Sequence, residues 1–290
     1  MLTQHHSTWF IVPVPKAAVQ TALTQAFPLG GLTLLDVPAS DTTLFPNGFP
    51  EGMHPVLATI GLGDDIRMSA LQIDGGLKSG AVIATYVSQH GGATPLSASL
   101  TGYIAGENGP LPNGLVPAVA ASLLFAGTEL RLGQFNPKAP AYASDAAGTL
   151  TSQAKWAVLT NALSGPGIYP EAVDFLFRKQ NAATKYTGKT FKTLINQPAI
   201  LPSGLCQRNQ YYFTNATALT SFASGDVTLG PAASRVFDPL TLKGVLTRAS
   251  SGGTGLYPDN EGFMVCAQTV GFNPESCEAA GKNLDPKALN

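Results

Sequence analysis

The stretch between residues 54 and 89 constrains the fold most, because three strand-like segments follow one another there with only turn residues between them. The segments are HPVLATIGL (54–62), DIRMSALQID (65–74) and SGAVIATYVSQ (79–89). In the second segment Arg67 lies on the face opposite to Ile66 and Met68, as the two-residue period of a strand requires. The linking residues GDD and DGG are typical of turns. The stretch therefore predicts an antiparallel β-meander.

Further strands are predicted on both sides of one apolar helix. SLTGYIAG (99–106), TELRLGQF (128–135) and SQAKWAVLTN (152–161) have strand patterns, as do QYYFTN (210–215), GDVTLG (225–230), LKGVLTRA (242–249) and EGFMVCAQTV (261–270). Helices are predicted over 15–27, 117–126 and 169–180, the last with Ala172, Phe175 and Leu176 facing inward. Many short strands with few helices indicate an antiparallel barrel or cone, and residues 1–290 are predicted to form a single domain.

Composition restricts the partners. Charged residues make up only 12% of the 290 residues, and the formal net charge is -1. Without a basic surplus there is little electrostatic support for binding nucleic acid. No apolar run reaches the roughly 18 residues that span a bilayer, and the start lacks the features of a signal peptide. We therefore expect a cytoplasmic protein, with the mature form of a secreted one as the alternative.

Common catalytic and metal-binding motifs are absent from the sequence. It contains no P-loop, no nucleophile elbow and no zinc-protease motif. Of the four histidines, His5 and His6 lie in an end that we expect to be frayed, and His54 and His90 are expected to be structural or exposed. No metal or organic cofactor is therefore predicted.

Three stretches together resemble a known family. AGTELRLGQFNPK (126–138) resembles the signature Ala-Gly-Arg-Glu-x-x-Gly-x-Pro-Lys of the acetoacetate decarboxylase superfamily. HPV with DDIRMSALQI, and INQPAILPSGLCQRNQYYF (195–213), resemble segments of its fungal members. The resemblance implies a mainly β fold, a cone-like barrel with a few short helices. It also implies chemistry on a β-keto or oxo acid through a lysine Schiff base, without a cofactor.

The resemblance also assigns roles to residues. Lys138 matches the Schiff-base lysine and Glu129 the motif glutamate, although Ala139 replaces a second lysine and Thr128 the motif arginine. Lys138 as an ordinary solvated loop residue, and Glu129 as a hydrogen-bond anchor, are the alternatives. Arg67 is a candidate clamp for a substrate carboxylate, and the alternatives are a salt bridge to Asp64 or Asp65, or exposure to solvent. The candidate pocket residues are Tyr86, Tyr103 and His54, with the two tyrosines as core residues as the alternative. The resemblance further implies a disulfide between Cys206 and Cys277, against the alternative of three reduced thiols.

Three functions follow as hypotheses. The first is a lyase that decarboxylates a β-keto acid or performs aldol-type chemistry on an oxo acid through an imine. The second is a cofactor-free cyclase, isomerase or dehydratase of fungal secondary metabolism that uses the same barrel without a catalytic lysine. The third is a protein that binds a small molecule without turnover. The expected partner is a small organic acid or other metabolite, and assembly with further copies of the chain is left open.

Overall fold

The computed structural model describes residues 2–68, 71–73, 76–106, 130–156, 172–183, 185–213, 220–230 and 242–290. The strands are β1 (Leu2–Pro15), β2 (Leu32–Leu34), β3 (Met53–Met68), β4 (Leu71–Ile73), β5 (Leu77–Gln89), β6 (Leu96–Gly106), β7 (Leu130–Asn136), β8 (Ala143–Ser144), β9 (Leu150–Trp156), β10 (Ala172–Gln180), β11 (Ala199–Ile200), β12 (Cys206–Gln207), β13 (Asn209–Tyr212), β14 (Thr220–Leu229) and β15 (Leu256–Gly271). The described helices are α1 (Lys16–Ala26), α2 (Gly188–Ile195), α3 (Leu242–Ala249) and α4 (Cys277–Lys282), with 3₁₀ turns at Ser251–Gly253 and Pro286–Leu289.

The strands form one strongly curled sheet. Its paired path runs β6-β7-β9-β10-β14-β15-β1-β3-β5, and β5 pairs again with β6, so the path returns to its start. Two pairings, β6 with β7 and β6 with β11, are parallel, and the other pairings between described strands are antiparallel. The predicted mainly β, barrel-like fold with a few short helices is thus confirmed. The sheet is mixed, because the chain leaves β6 and returns beside it in the same direction.

Strand alternation divides the apolar residues between two cores. Along β1, Phe10 and Val12 point into the barrel, which we call the interior. Trp9 and Ile11 point to the opposite side, where α2 and residues 35–49 cover the sheet; we call this the outer core. Because both faces of these strands are buried, their sequences read as nearly continuous apolar runs.

Helices α1 and α3 close one end of the interior. Val19, Ala22 and Leu23 of α1 and Leu246 of α3 are buried in the same cluster as the interior strand residues. The helix predicted over 15–27 is confirmed by α1. The helix predicted over 117–126 lies outside the described residues. None of the helices in the described ranges is long and apolar enough to cross a membrane.

Four local predictions were wrong. Residues 172–180 form strand β10 instead of a helix, because β9 and β14 pair with its two edges. In this strand Phe175 and Phe177 are buried and Leu176 is 50% exposed.

Residues 242–249 form helix α3 instead of a strand, since Leu242, Val245 and Leu246 also fit a helical period. The residues GDD form no turn, because β3 continues to Met68. The first residues are not frayed, because β1 pairs with β3 and β15 from Leu2 onward.

A disulfide ties the C-terminal helix to the sheet. Cys206 of β12 is bonded to Cys277, the first residue of α4, across 71 positions of sequence. This is the pair that the family resemblance implies. Beside it Arg208 Nε donates a hydrogen bond of 2.6 Å to Glu275 Oε1. The disulfide therefore fixes the position of α4 relative to β12.

Removing this disulfide is expected to destabilise the fold. Closing a loop of this length lowers the entropy of the unfolded chain, and the double substitution Cys206→Ser and Cys277→Ser should cost about 2–5 kcal/mol of unfolding free energy. Urea denaturation measures the loss. As a control, a thiol reductant should lower the stability of the wild type and leave the variant unchanged. Equal stability of the two proteins would contradict the prediction.

His54 lies at the helix-closed end and makes stability depend on pH. Its ring is fully buried, and Nε2 donates a 2.7 Å hydrogen bond to Thr85 O. Burial lowers the pKa of His54 to about 4. Between pH 6.5 and 4 the unfolded state therefore binds a proton that the folded state excludes, so stability falls as the pH falls.

The substitution His54→Gln keeps a hydrogen-bond donor and removes this titration. Between pH 7 and 5 the wild type should lose about 2 kcal/mol more unfolding free energy than the variant. Urea denaturation at the two pH values measures the difference. Parallel losses in both proteins would show that His54 is not the responsible group.

Candidate functional site

The register of four neighbouring strands places one row of residues across the inner wall of the barrel. Cys266 of β15 pairs with His6 of β1, His6 with Leu62 of β3, Leu62 with Lys78 of β5, and Lys78 with Ala105 of β6. Directly opposed residues point to the same face of a sheet. Each of the five shares its parity with interior residues of the same strand, so the whole row faces the interior.

Polarity in the interior increases away from the helix-closed end. The row of Phe10, Ala58 and Val82 is apolar and fully buried. In the next row outward, Thr8 of β1 and Tyr103 of β6 lie on either side of Ile60 and Gly80. The row after that one holds His6, Cys266 and Lys78. Ionisable groups therefore gather at the end of the barrel opposite to α1 and α3, which makes this end the candidate site.

Lys78 is the most unusual of these groups. Its side chain is 0% exposed, and Nζ donates a 2.7 Å hydrogen bond to Pro140 O, in the loop that follows β7. The same nitrogen lies 5.6 Å from the centre of the Phe135 ring. Among the described residues no carboxylate lies within ion-pair distance of this amine. Burial therefore lowers the pKa of Lys78 from 10.5 to about 8.

The opposite wall of the barrel lies close to Gly80, the next interior position of β5 after Lys78. A Cβ atom at Gly80, one interior position away, would lie 3.2 Å from Cβ of Ala154 on β9. Strands β5 and β9 are not neighbours in the sheet, so this contact crosses the interior. Glycine at position 80 thus lets the two walls meet.

Two further polar features face the same end. Cys266 Sγ lies 3.4 Å from His6 Nε2, within hydrogen-bonding distance for sulfur. Strand alternation places Asp64, two residues beyond Leu62, on the interior face of β3. Its Oδ1 is buried and has no hydrogen-bond partner within the part of the chain that the structure describes. The end of the barrel thus combines an amine, a thiol, an imidazole and a carboxylate.

The structure does not place the predicted lysine in this site. Lys138 is exposed, in the loop after the cis Asn136–Pro137 peptide, so the alternative of a solvated loop residue describes it. Glu129 lies outside the described residues. Arg67 belongs to β3, opposite Gln72 of β4, and its side chain lies outside the described part of the chain.

The predicted pocket residues do not share one cavity. Tyr103 lies in the interior, beside the row that contains Lys78. His54 lies on β3 at the helix-closed end, four interior positions from Leu62. Tyr86 has φ +46° at an irregularity of β5, and this turns its side chain into the outer core. Burial there raises the pKa of Tyr86 to about 12.

Lys78, His6 and Cys266 were missed as site residues by sequence reasoning. A usable signal was present for the lysine, because Lys78, Gly80, Val82 and Ala84 share one parity, and the last two are typical interior residues. A lysine on the apolar parity of a strand is an exception that deserves a functional hypothesis. For His6 and Cys266 the pairing of β1 with β15, more than 250 residues apart, carries the information.

Two cavities of the described part of the chain lie away from this row. One of about 210 Å³ borders Tyr186 and Glu261, and one of about 410 Å³ lies between the end of α1 and residues 200–204. Across the described ranges no three His, Cys, Asp or Glu side chains are grouped closely enough to hold a metal ion.

No protein-family profile and no curated protein sequence matches the chain. Several solved structures are similar to it, among them two enzymes. The first is the enduracididine biosynthesis enzyme MppR, complexed with the condensation product of pyruvate and imidazole 4-carboxaldehyde. It has a TM-score of 0.50 and 8% identity, and the match covers 95% of this chain and 88% of that chain. The second is an acetoacetate decarboxylase-like enzyme from Sphingomonas wittichii RW1, with a TM-score of 0.45, 10% identity, and coverage of 95% and 92%. At such low identity the likeness shows the fold alone, and the chain has a fold similar to that of MppR.

Proposed function

We propose that the protein is an enzyme that binds a small oxo acid in the barrel interior and activates its carbonyl group as an imine of Lys78. The observation that carries this proposal is the complete burial of an amine that no described carboxylate neutralises. A structural lysine is normally solvated or ion-paired, since burying an unpaired charge is costly. Lys78 therefore takes the role that the family resemblance gives to Lys138.

The reaction begins with the neutral amine. Lys78 Nζ adds to the carbonyl carbon, and loss of water leaves a protonated imine. The bond between the α carbon and the leaving carbon then breaks and releases carbon dioxide or a carbonyl compound. Its electron pair forms the carbon–carbon double bond of an enamine, while the π electrons of the imine move to the nitrogen. Protonation of the enamine carbon and addition of water then release the product and the free amine. With a pKa of about 8, roughly a tenth of Lys78 is neutral at pH 7.

The environment of Lys78 suits this sequence of steps. The Phe135 ring lies beside the amine, and Pro140 O orients it through a hydrogen bond. MppR, which has this fold, is described with a condensation product of pyruvate. By analogy of fold, a small oxo acid is the substrate class that we propose.

A second candidate function rests on the same pKa. Because most of Lys78 is protonated at pH 7, the ammonium can instead hold a substrate carboxylate by an ion pair, while another group performs the chemistry. The protein would then bind organic acids without a covalent link. Arginine distinguishes the two functions, since it binds carboxylates and forms no imine under these conditions.

Borohydride reduction with pyruvate or acetoacetate tests the proposed function. Intact-mass and peptide mass spectrometry should find one reduced adduct on Lys78 in the wild type and none in Lys78→Met or Lys78→Arg. The matched control Lys138→Met should keep the adduct, because Lys138 is exposed. An adduct on Lys138, or none on any lysine, would overturn the imine proposal. Binding of the acids retained by Lys78→Arg and lost in Lys78→Met would support the ion-pair function.

The pH dependence of the unfolding free energy should also reveal the buried amine of Lys78. The pKa of Lys78 is lowered in the folded state, so between pH 8 and 10.5 the unfolded state binds more protons, and stability rises with pH. From pH 7.5 to 9.5 the wild type should gain about 2 kcal/mol of unfolding free energy relative to Lys78→Met. Urea denaturation at both pH values measures this difference. A constant difference would contradict the burial of the amine.

A further inference from the structure

We propose that His6 and Cys266 form a second reactive site in the barrel interior, in which an imidazole-assisted thiol adds to the activated alkene of a small α,β-unsaturated carbonyl compound. The site is separate from the imine chemistry of Lys78 and stands or falls without it.

The pair is built into the most regular part of the sheet. His6 and Cys266 are direct partners in the ladder of β1 and β15, which runs from Leu2 to Ile11 without a bulge. Side chains of directly opposed residues are close neighbours, and here the sulfur lies 3.4 Å from Nε2. Because the ladder fixes both backbones, the two groups stay in register.

The surroundings direct the thiol inward. On β15 the neighbours Val265 and Ala267 belong to the outer core, while Met264 belongs to the interior. Cys266 has the parity of Met264 and is partly buried. It stands in the same interior row as Lys78, with β1 and β3 between them, a distance of roughly 14 Å between the Cα atoms along the wall.

The chemistry follows from the two groups. The thiolate is the nucleophilic form of cysteine, and an adjacent imidazole that accepts the thiol proton generates it. The sulfur then bonds to the β carbon of the ligand as the carbon–carbon π bond breaks. Its electron pair moves to the α carbon and is stabilised by the conjugated carbonyl group. The α carbon takes back the proton from the imidazolium, so the thiol has added across the double bond and nothing is oxidised or reduced.

The cysteine content makes a clean test available. The chain has three cysteines, and Cys206 and Cys277 are joined in the disulfide. Under non-reducing conditions a thiol-specific label therefore reports Cys266. The probe is but-3-en-2-one, a small α,β-unsaturated ketone, and the rate of single addition is followed by intact-mass spectrometry.

The native protein should react at least about tenfold faster than the same chain unfolded in urea, although its thiol is partly buried, because general-base assistance commonly exceeds this factor. His6→Gln should lose this advantage, and Cys266→Ser should not react at that rate. His90→Gln, which removes an exposed histidine outside the candidate site, is the matched control that should keep the wild-type rate. A maleimide carried on a long polyethylene glycol chain should label the native protein far more slowly than the unfolded one.

Either of two results would overturn the proposal. One is a native rate no higher than the unfolded rate, which requires no variant and so does not depend on the folding of His6→Gln. The other is an equal rate for wild type and His6→Gln when both show the same thermal unfolding midpoint. Failure of the borohydride experiment leaves both results unaffected, so the two proposals are judged separately.

Discussion

The antiparallel ladder that joins β15, β1, β3 and β5 is the constraint on which the rest of the structure depends. Between His6 and Phe10 it carries the pairing across all four strands without a bulge. Because side chains alternate along each strand, a shift of one residue would exchange the interior with the outer core. Trp9, Leu57 and Phe263 are held on one side, and Phe10, Ala58 and Val82 on the other. The same alternation decides which ionisable groups face inward.

The energetic consequence falls on Lys78. An amine brought into this interior loses its hydration, and the only hydrogen-bond acceptor that the described residues offer it is Pro140 O. Apolar packing on both faces of the strands offsets this free-energy cost. Stability and reactivity are thus linked, because the burial that penalises the ammonium also keeps part of the amine neutral near pH 8. A fold optimised for stability alone would place methionine or leucine at this position.

Sequence reasoning found the class of fold, whereas the lysine that it proposed for catalysis, Lys138, lies exposed in the structure. Strands β3 and β5 and helix α1 follow from local patterns, because strand parity and helical spacing are set by neighbouring residues. The meander predicted over 54–89 was wrong, because residues 65–68 continue β3, which pairs directly with β5. Residues 172–180 were misread because Phe175 and Leu176 fit an amphipathic helix, and only pairing with β9 and β14 decides for a strand. Lys138 was proposed because it matches a family motif, whereas the exposure of its side chain depends on the course of the loop after β7. His6 and Cys266 become neighbours only because β1 pairs with β15. No local sequence pattern predicts a pairing between two strands so far apart in the chain.

Titration of Lys78 shows most directly whether the barrel interior holds a desolvated amine. With lysine labelled by ¹³C at Cε, the carbon resonance that disappears in Lys78→Met can be assigned and followed from pH 6 to pH 11. We expect a midpoint for Lys78 near pH 8. A midpoint near 10.5, the ordinary value for lysine, would show that the amine is solvated and not buried.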